Sequence, residues 1–299
     1  MDFLEFYNLK EHPFSNAIDS KFYFSSSLHS DALLRLRYSV DSMKGLAVVV
    51  GDVGTGKTTL ARRLLDELDD EKYEAALLIV LHTSVTSDWL MKKIAMQMGV
   101  ENVADSKLEI LSQLYKRLIE INESGLKAVI LMDEVQMLKS KEIMEEFRGL
   151  LNMEVEGGNL LTLVMFGLPE LEDILAWDMP LKQRIAIKYK MSGLDEDLTR
   201  EYIVHRLQVA GCSEEIFTPE SITSIHRYTS GVPRLINTIC DNAILEGFFA
   251  KAKPIDKGII ESIAENLDLD PDGAGAEKKE ADAEVNEAEG EKNESGQID

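Results

Sequence analysis

The residues best suited to chemistry lie in one short stretch, where glycines, a lysine and hydroxyl side chains recur at fixed spacing. The stretch runs Gly51-Asp52-Val53-Gly54-Thr55-Gly56-Lys57-Thr58 and fits the pattern G-x-x-x-x-G-K-[ST]. Its glycines allow a tight turn that aims backbone N–H groups at phosphate oxygens. A helix that follows adds the positive end of its dipole. The spacing therefore predicts a phosphate-binding loop, or P-loop.

Two side chains of this loop have predicted roles on Mg-ATP. Lys57 is expected to reach the β- and γ-phosphates, and the Thr58 hydroxyl to bind Mg²⁺. The other predicted nucleotide contacts of the loop are Gly51, Val53, Gly54, Thr55, Gly56 and Thr59. The alternative is a glycine turn that happens to precede a helix. The apolar run before the loop and the helical pattern after it favour the P-loop.

A pair of acids follows a second apolar run, at residues 128–132. Parallel sheets place their chemistry at the carboxyl ends of strands. Asp133 is therefore expected to position Mg²⁺ through water, and Glu134 to orient and polarise an attacking water, the Walker B pattern. An acid pair after a strand can also cap a helix or form a turn. Its place downstream of a P-loop favours the catalytic interpretation and argues for hydrolysis.

Three further residues are candidates for the same site. Arg184 precedes the last predicted strand and could reach a neighbouring subunit's γ-phosphate as an arginine finger; otherwise it is a solvated strand-edge arginine. Arg234 falls in the first turn of a predicted helix, where the dipole disfavours a cation, which suggests an anion nearby. Gln136 could be a polar relay or a helix cap.

Alternating strands and helices must position these residues. The predicted strands are 46–50, 76–81, 128–132, 161–166 and 185–189, and the predicted helices between them are 57–68, 87–98, 106–122, 140–151 and 169–176. The strands are nearly continuous apolar runs, as expected for a parallel sheet covered by helices on both faces. The fold class is therefore α/β.

The rest of the chain differs in pattern. An aromatic-rich segment, 1–44, is expected to pack on the nucleotide site or over an apolar edge. The P-loop core spans 45–190, and 191–267 is helical only, a small lid domain. Residues 268–299 contain twelve acids against three lysines and almost no large apolar side chain, so they are predicted to be a disordered acidic tail.

Composition narrows the function classes. The net charge is −22, which disfavours non-specific attraction to DNA or anionic membranes. The longest apolar runs fall well short of the roughly eighteen residues of a membrane span, and no basic leader opens the chain, so neither a transmembrane segment nor a signal peptide is expected. The two cysteines, Cys212 and Cys240, lack metal-type spacing. We expect a cytoplasmic protein with reduced thiols.

Taken together, these motifs resemble the AAA+ ATPase superfamily and, more narrowly, the general secretion pathway protein A family (ExeA-like ATPases). The resemblance covers about 4–265. Besides the P-loop and Asp133-Glu134-Val135-Gln136, it rests on Phe6-Tyr7-x-Leu9-x-x-x-Pro13-Phe14, Asp19-x-x-Phe22-x-Phe24-x-Ser26-x-x-His29, Phe166-Gly167-Leu168-Pro169-Glu170-Leu171, Gln183-Arg184-Ile185, Tyr202-Ile203-x-His205-Arg206-Leu207-x-x-Ala210-Gly211 and Gly231-Val232-Pro233-Arg234-Leu235-Ile236-Asn237.

The resemblance implies a five-stranded parallel sheet with a helical lid and an ATP site shared between subunits of an ATP-dependent homo-oligomer, a hexameric ring or a filament. It makes Arg234 the sensor 2 residue and Arg184 the finger, and it adds His29 to the nucleotide contacts. Two departures stand out. Leu168 replaces the glutamine that the family commonly has as sensor 1, and Thr162 lies too early on its strand to substitute. An acidic tail stands where secretion members often continue into a transmembrane and periplasmic region.

Three functions follow as hypotheses. The first is a cytoplasmic ATPase that uses ATP-dependent assembly to drive or regulate a secretion or envelope machine through an unknown protein partner. The second is a DNA-associated helper ATPase for transposition or replication, which the acidic charge disfavours. The third is a nucleotide-gated scaffold that hydrolyses ATP slowly, which the weak sensor 1 supports and Glu134 opposes.

Overall fold

The structure, a computed structural model, describes residues 2–271. The chain divides into two compact units, one comprising Ser25–Ser192 and the other the residues up to Phe24 together with those from Gly193 onward. The aromatic-rich segment is thus split: its first part belongs with the C-terminal helices and its last part with the P-loop. Residues 272–299 of the predicted acidic tail lie outside the described residues.

The first unit is built on a parallel sheet of five strands, in the order β2-β3-β6-β1-β7. The strands are β1 (Leu46–Gly51), β2 (Tyr73–Ile79), β3 (Lys127–Asp133), β6 (Leu161–Gly167) and β7 (Ile185–Met191), with a two-stranded antiparallel hairpin of β4 (Glu154–Val155) and β5 (Gly158–Asn159) before β6. The predicted five-stranded parallel sheet is confirmed.

Helices cover both faces of this sheet. They are α2 (Ser27–Asp41), α3 (Lys57–Glu67), α4 (Ser87–Gln97), α5 (Lys107–Glu123), α6 (Lys141–Leu150), α7 (Leu171–Leu175) and α8 (Met179–Lys182). Alternate residues of β1 enter two different apolar clusters: Val48 joins the cluster shared with α4, α5 and α6, and Val49 joins the cluster shared with α2 and α3. A strand buried on both faces needs apolar residues throughout, which explains the continuous runs.

Three elements, β2, α7 and α8, differ from the sequence prediction. β2 begins at Tyr73 rather than 76, because its ladder with β3 continues to Lys127. The predicted helix 169–176 is the shorter α7, and the four-residue α8 was not predicted. Asp178 begins α8 by accepting a hydrogen bond from the backbone N–H of Leu181 at 2.8 Å, a capping contact that fixes the start of a helix too short to show a periodicity.

The second unit contains α1 (Phe3–Phe6), α9 (Glu196–Val209), α10 (Pro219–Thr229), α11 (Pro233–Ala250) and α12 (Lys257–Asn266). The N-terminal aromatics complete its core: Tyr7 and Phe14 are at most 1% exposed, and Phe14 meets Phe217 edge to face with ring centroids 6.1 Å apart. A bundle of a few short helices has a small apolar core of its own, and these large aromatic rings enlarge that core.

Among residues 2–271, no helix is both long enough and apolar enough to cross a bilayer.

Candidate functional site

The P-loop connects β1 to α3 at the carboxyl edge of the sheet. Gly54 and Gly56 have φ angles of +82° and +99°, a region that side chains with a Cβ rarely adopt. Gly51 is required for a different reason, since a Cβ added there would lie 2.8 Å from the carbonyl oxygen of Met191 on β7. Strand, glycine turn and helix therefore follow one another as the motif requires.

Lys57 is nearly buried, at 6% exposure. Its Nζ donates hydrogen bonds to the carbonyl oxygens of Gly51 at 2.6 Å and Asp52 at 2.9 Å. The ammonium is thus held inside the curve of the loop by neutral carbonyls. A phosphate oxygen, which carries a full charge, would be a stronger acceptor for the same donor.

Thr58, at the start of α3, and Asp133, at the end of β3, are hydrogen-bonded to each other at the carboxyl edge of the sheet. The Thr58 hydroxyl donates to Oδ2 of Asp133 at 2.6 Å, and the backbone N–H of Glu134 donates to Oδ1 at 3.0 Å. Burial raises the pKa of Asp133 above its ordinary value, and these two hydrogen bonds oppose that shift. One hydroxyl and one carboxylate fit Mg²⁺, which keeps several waters and takes its other ligands from nucleotide phosphates.

Glu134 lies next to this pair in a left-handed backbone conformation, with φ 58° and ψ 37°. Oε2 of its carboxylate accepts a hydrogen bond from Nε2 of Gln136 at 2.5 Å. Oε1 of Gln136 in turn accepts from the backbone N–H of Leu168 at 3.1 Å, at the end of β6. Gln136 is therefore a polar link between the acid pair and the neighbouring strand, one of its two predicted roles.

The expected sensor 1 position carries no polar side chain. Leu168 contributes its backbone N–H only. Thr162 is fully buried near the start of β6, where its hydroxyl contacts Sδ of Met43 at 3.6 Å. The departure from the family pattern is thus present in the structure, and Thr162 does not compensate for it.

His29 lies behind the P-loop, on the first turn of α2. Its Nδ1 is 2.7 Å from Oγ of Ser26, which also accepts the His29 backbone N–H. Nε2 comes within 2.9 Å of a Cβ built on Gly56. Burial lowers the pKa of His29, and a hydrogen bond to the Thr55 backbone opposes that shift. The imidazole braces the loop, and the contact with nucleotide remains a prediction.

The other loop residues differ in exposure. Thr55 is 1% exposed and its hydroxyl donates to the Asp52 carbonyl oxygen at 2.9 Å, which braces the turn. Thr59 is half-buried on α3. Val53 is 59% exposed at the tip of the loop, an orientation that leaves its side chain free to meet a ligand or a second protein.

Arg184 lies at the opposite edge of the sheet. It precedes Ile185, which pairs with Leu46 at the start of β1. Five residue rises along β1, from Leu46 to Gly51, separate that level from the P-loop, about 17 Å at the usual rise. Its guanidinium donates to the carbonyl oxygen of Leu151 at 2.8 Å and to the side chain of Asn152. Arg184 is therefore remote from the P-loop of its own chain.

Arg234 belongs to the helical unit. It is exposed in the first turn of α11, and the residue preceding that helix, Val232, provides no side-chain cap. Within residues 2–271 we find no ion pair or side-chain hydrogen bond of its guanidinium. A cation at the positive end of a helix, without a neutralising carboxylate, keeps its affinity for an anion.

The sequence reasoning missed the contribution of β7. Met191 is the last residue of this strand. Its carbonyl oxygen lies against Gly51, and its side chain lies near Gly56. Its apolar type gives no chemical signal, and only the pairing of β7 with β1 brings it to the loop.

Comparison with known proteins agrees with this geometry. The AAA domain family matches residues 40–175. General secretion pathway protein A of Aeromonas hydrophila is 35% identical over 249 residues, which are 82% of this chain but 45% of that protein. The chain thus spans less than half the length of this relative.

Solved structures show the same fold at low sequence identity. The ORC2 protein of Aeropyrum pernix, in ADPNP-ADP complexes, matches with a TM-score of 0.63 at 14% identity, covering 86% of this chain and 71% of that one. The RuvB Holliday junction branch migration motor of Thermotoga maritima matches with a TM-score of 0.57 at 18% identity, covering 88% and 76%. Given the extent of the secretion relative's identity, the chain belongs to the general secretion pathway protein A family of AAA+ ATPases.

Proposed function

We propose that this protein binds Mg-ATP on the P-loop and hydrolyses it to ADP and phosphate, at sites completed by a neighbouring copy of the chain. The assembly and disassembly of that homo-oligomer then drives or regulates the assembly of a partner machine of the secretion or envelope type. The observation that carries the proposal is the arrangement of Thr58, Asp133 and Glu134 around the P-loop lysine.

The chemistry needs little movement of the side chains. Lys57 would exchange two backbone carbonyls for the β- and γ-phosphates. Thr58, and Asp133 through water, would hold Mg²⁺, which would offset charge on the phosphates. Glu134 accepts a proton from water as the water oxygen bonds to the γ-phosphorus, and the bond from that phosphorus to the ADP oxygen breaks. Hydrogen bonds already hold the Asp133 and Glu134 side chains in place, which favours preorganised catalysis.

The shared site is supported by the position of Arg184. An arginine about 17 Å from its own P-loop does not reach the nucleotide bound there, whereas on the nucleotide of a neighbouring copy it would stabilise the charge of the transition state. Arg234, exposed at a helix start, is suited to sense the γ-phosphate. Hydrolysis would then move the helical unit relative to the sheet unit.

The process is proposed from the family alone. The relative's name refers to secretion, and less than half of its length has a counterpart here. We place the protein in the cytoplasm, with a protein partner still to be found. Binding to DNA, the second hypothesis, is disfavoured by the net charge of −22.

The first test is the size of the Glu134→Gln protein by size-exclusion chromatography with light scattering, in ADP, in ATP and in ATP with duplex DNA. The substitution keeps the shape of the side chain but removes the base, so ATP should stay bound and the assembled state should accumulate. We expect a larger species with ATP alone. Glu145→Gln on α6, an exposed acid away from the loop, is the matched control.

Other outcomes discriminate between the hypotheses. Assembly that requires DNA would support the transposition or replication helper. An unchanged size in every nucleotide, with ATP bound, would contradict the shared site and favour the slow scaffold. Normal turnover by the Glu134→Gln protein would overturn the role assigned to Glu134.

A further inference from the structure

Gln136 is almost fully buried, at 6% exposure, and the orientation of its amide is determined by chemistry. The backbone N–H of Leu168 can only donate, so the atom that faces it must be Oε1. Nε2 then faces the carboxylate of Glu134, which can only accept while it is ionised. Both ends of the amide are matched, and a flipped side chain would leave two buried contacts unsatisfied.

The backbone is shaped to bring these groups together. The left-handed conformation at Glu134 starts a tight turn, Val135–Met137, that places residue 136 back beside residue 134. On the other side, Gly167 leaves room for the amide: a Cβ there would lie 2.9 Å from Oε1 of Gln136 and 2.8 Å from the side chain of Leu171, so those side chains would have to shift. A helix cap would need neither feature.

We infer that Gln136 is a positioning residue that holds the Glu134 carboxylate in place and ties it to the end of β6. This inference rests on the proposed ATP hydrolysis. Gln136 occupies one carboxylate oxygen of Glu134, so the other is left to accept a proton from water. The backbone N–H of Leu168 anchors the link, which connects β6 to the catalytic acid although residue 168 has no polar side chain.

The test compares steady-state ATP hydrolysis by wild type, Gln136→Leu and Gln113→Leu. Gln113 on α5 is the matched control, because its amide also makes two hydrogen bonds, but to backbone groups of the preceding loop, the N–H of Ala104 and the carbonyl oxygen of Asn102. We expect Gln136→Leu to lower kcat about tenfold or more and to leave KM for ATP within about twofold of wild type. The loss of one charge-assisted hydrogen bond to the catalytic acid corresponds to a rate change of that order. A fold-wide defect of Gln136→Leu would change both constants, and a general sensitivity to the loss of an amide would lower the kcat of Gln113→Leu as well.

Gln136→Glu separates positioning from packing. A glutamate has the same size and can still accept from Leu168, but an ionised carboxylate cannot donate to Glu134. We expect a fall in kcat at least as large as for Gln136→Leu. In the Glu134→Gln background, Gln136→Leu should change the residual single-turnover rate by less than about twofold, because residues that act through one another are not additive.

The possible failures are distinguishable. If wild type and both Gln136 variants hydrolyse ATP with the same kcat, or if either variant is faster, the inference is overturned while the proposed function stands. A wild type that binds ATP without turnover would contradict the proposed function, and this role with it. Equal fractional losses from Gln136→Leu with and without Glu134 would also overturn the inference.

Discussion

At the scale of single residues, the lysine of the P-loop is bound to its own loop before any substrate group replaces those contacts. Two carbonyl oxygens within 2.9 Å hold the Lys57 ammonium where phosphate oxygens would otherwise accept its hydrogen bonds. The loop is thus shaped around a cation, and the chemistry of the site depends on exchanging weak acceptors for charged ones.

Lys57→Ala should weaken ATP binding about hundredfold or more, because charge-assisted hydrogen bonds contribute about 1.5–3 kcal/mol each. The measurement is titration of a fluorescent ATP analogue. Lys116→Ala, on the exposed side of α5, is the control and should bind normally. Equal Kd values for the two variants would contradict the role of Lys57, provided that thermal melting shows both to be folded.

His29 gives a prediction about pH. Its folded-state pKa is lowered by burial, so the unfolded chain, with a His pKa near 6.5, takes up a proton more readily. Stability is therefore lost as pH falls below about 6.5 and is fully present above it. Denaturant unfolding from pH 8 to pH 5 should show a shallower pH dependence for His29→Gln than for wild type.

His82 is exposed, and His82→Gln serves as the control, with an unchanged slope. If His29→Gln keeps the wild-type slope, His29 does not carry the pH dependence. Absolute stabilities are not compared, since His29→Gln also loses the contacts to Ser26 and Thr55.

At the scale of secondary structure elements, one arginine joins the N-terminal segment to α9. Arg206 is 6% exposed and donates to the carbonyl oxygens of Pro13 at 2.5 Å and Ser15 at 2.9 Å, and to the hydroxyl of Tyr202 at 2.8 Å. Its guanidinium also lies 4.9 Å from the ring centroid of Phe22. This side chain fixes the N-terminal segment where it passes α9, at Pro13 and Ser15.

Arg206→Lys should destabilise the helical unit by about 2–4 kcal/mol, because a single ammonium cannot reach all of these acceptors and unsatisfied buried groups cost about 1–3 kcal/mol each. Denaturant unfolding measures the loss, and hydrogen exchange should quicken first in residues 13–24. Arg200→Lys, on the same helix but only half-buried, should be nearly neutral. A neutral Arg206→Lys would show that packing alone orders the segment.

At the scale of the whole molecule, the two edges of the sheet have different proposed tasks. The carboxyl edge carries the P-loop and the acid pair, and the opposite edge carries Arg184. A single copy would then present a nucleotide site at one edge and a finger at the other, an arrangement that makes the contact between copies heterologous and suits rings or filaments.

Arg184→Ala should leave ATP binding unchanged within about twofold and lower turnover at least tenfold, since it acts on a neighbour's transition state. Binding is measured at concentrations where the protein is a monomer, and turnover where it is assembled. Lys182→Ala tests for a general charge effect, because Lys182 is exposed at the same end of the sheet. Equal turnover by wild type and Arg184→Ala would remove the finger assignment.

Residue order alone determined the α/β fold, the P-loop and the acid pair. These features are local: a glycine turn needs its glycines in sequence, and a strand buried on both faces must be apolar along its length. For the same reason the helical pattern after Gly193 was readable. Element bounds were harder to predict where contacts with other residues set them. The start of α8 depends on the Asp178 cap, and the first residues of β2 depend on the ladder with β3.

Only the tertiary structure decided how the candidate site is connected. The sequence left two roles for Gln136, a polar relay or a helix cap, and the position of Leu168 beside it favours the relay. Met191 had no predicted role, and it reaches the P-loop because β7 pairs with β1. The aromatic-rich segment divides after Phe24: its rings up to Phe24 belong to the helical unit, and α2 packs on the sheet. Contacts between residues distant in sequence depend on strand order and packing, which no local pattern of residues encodes.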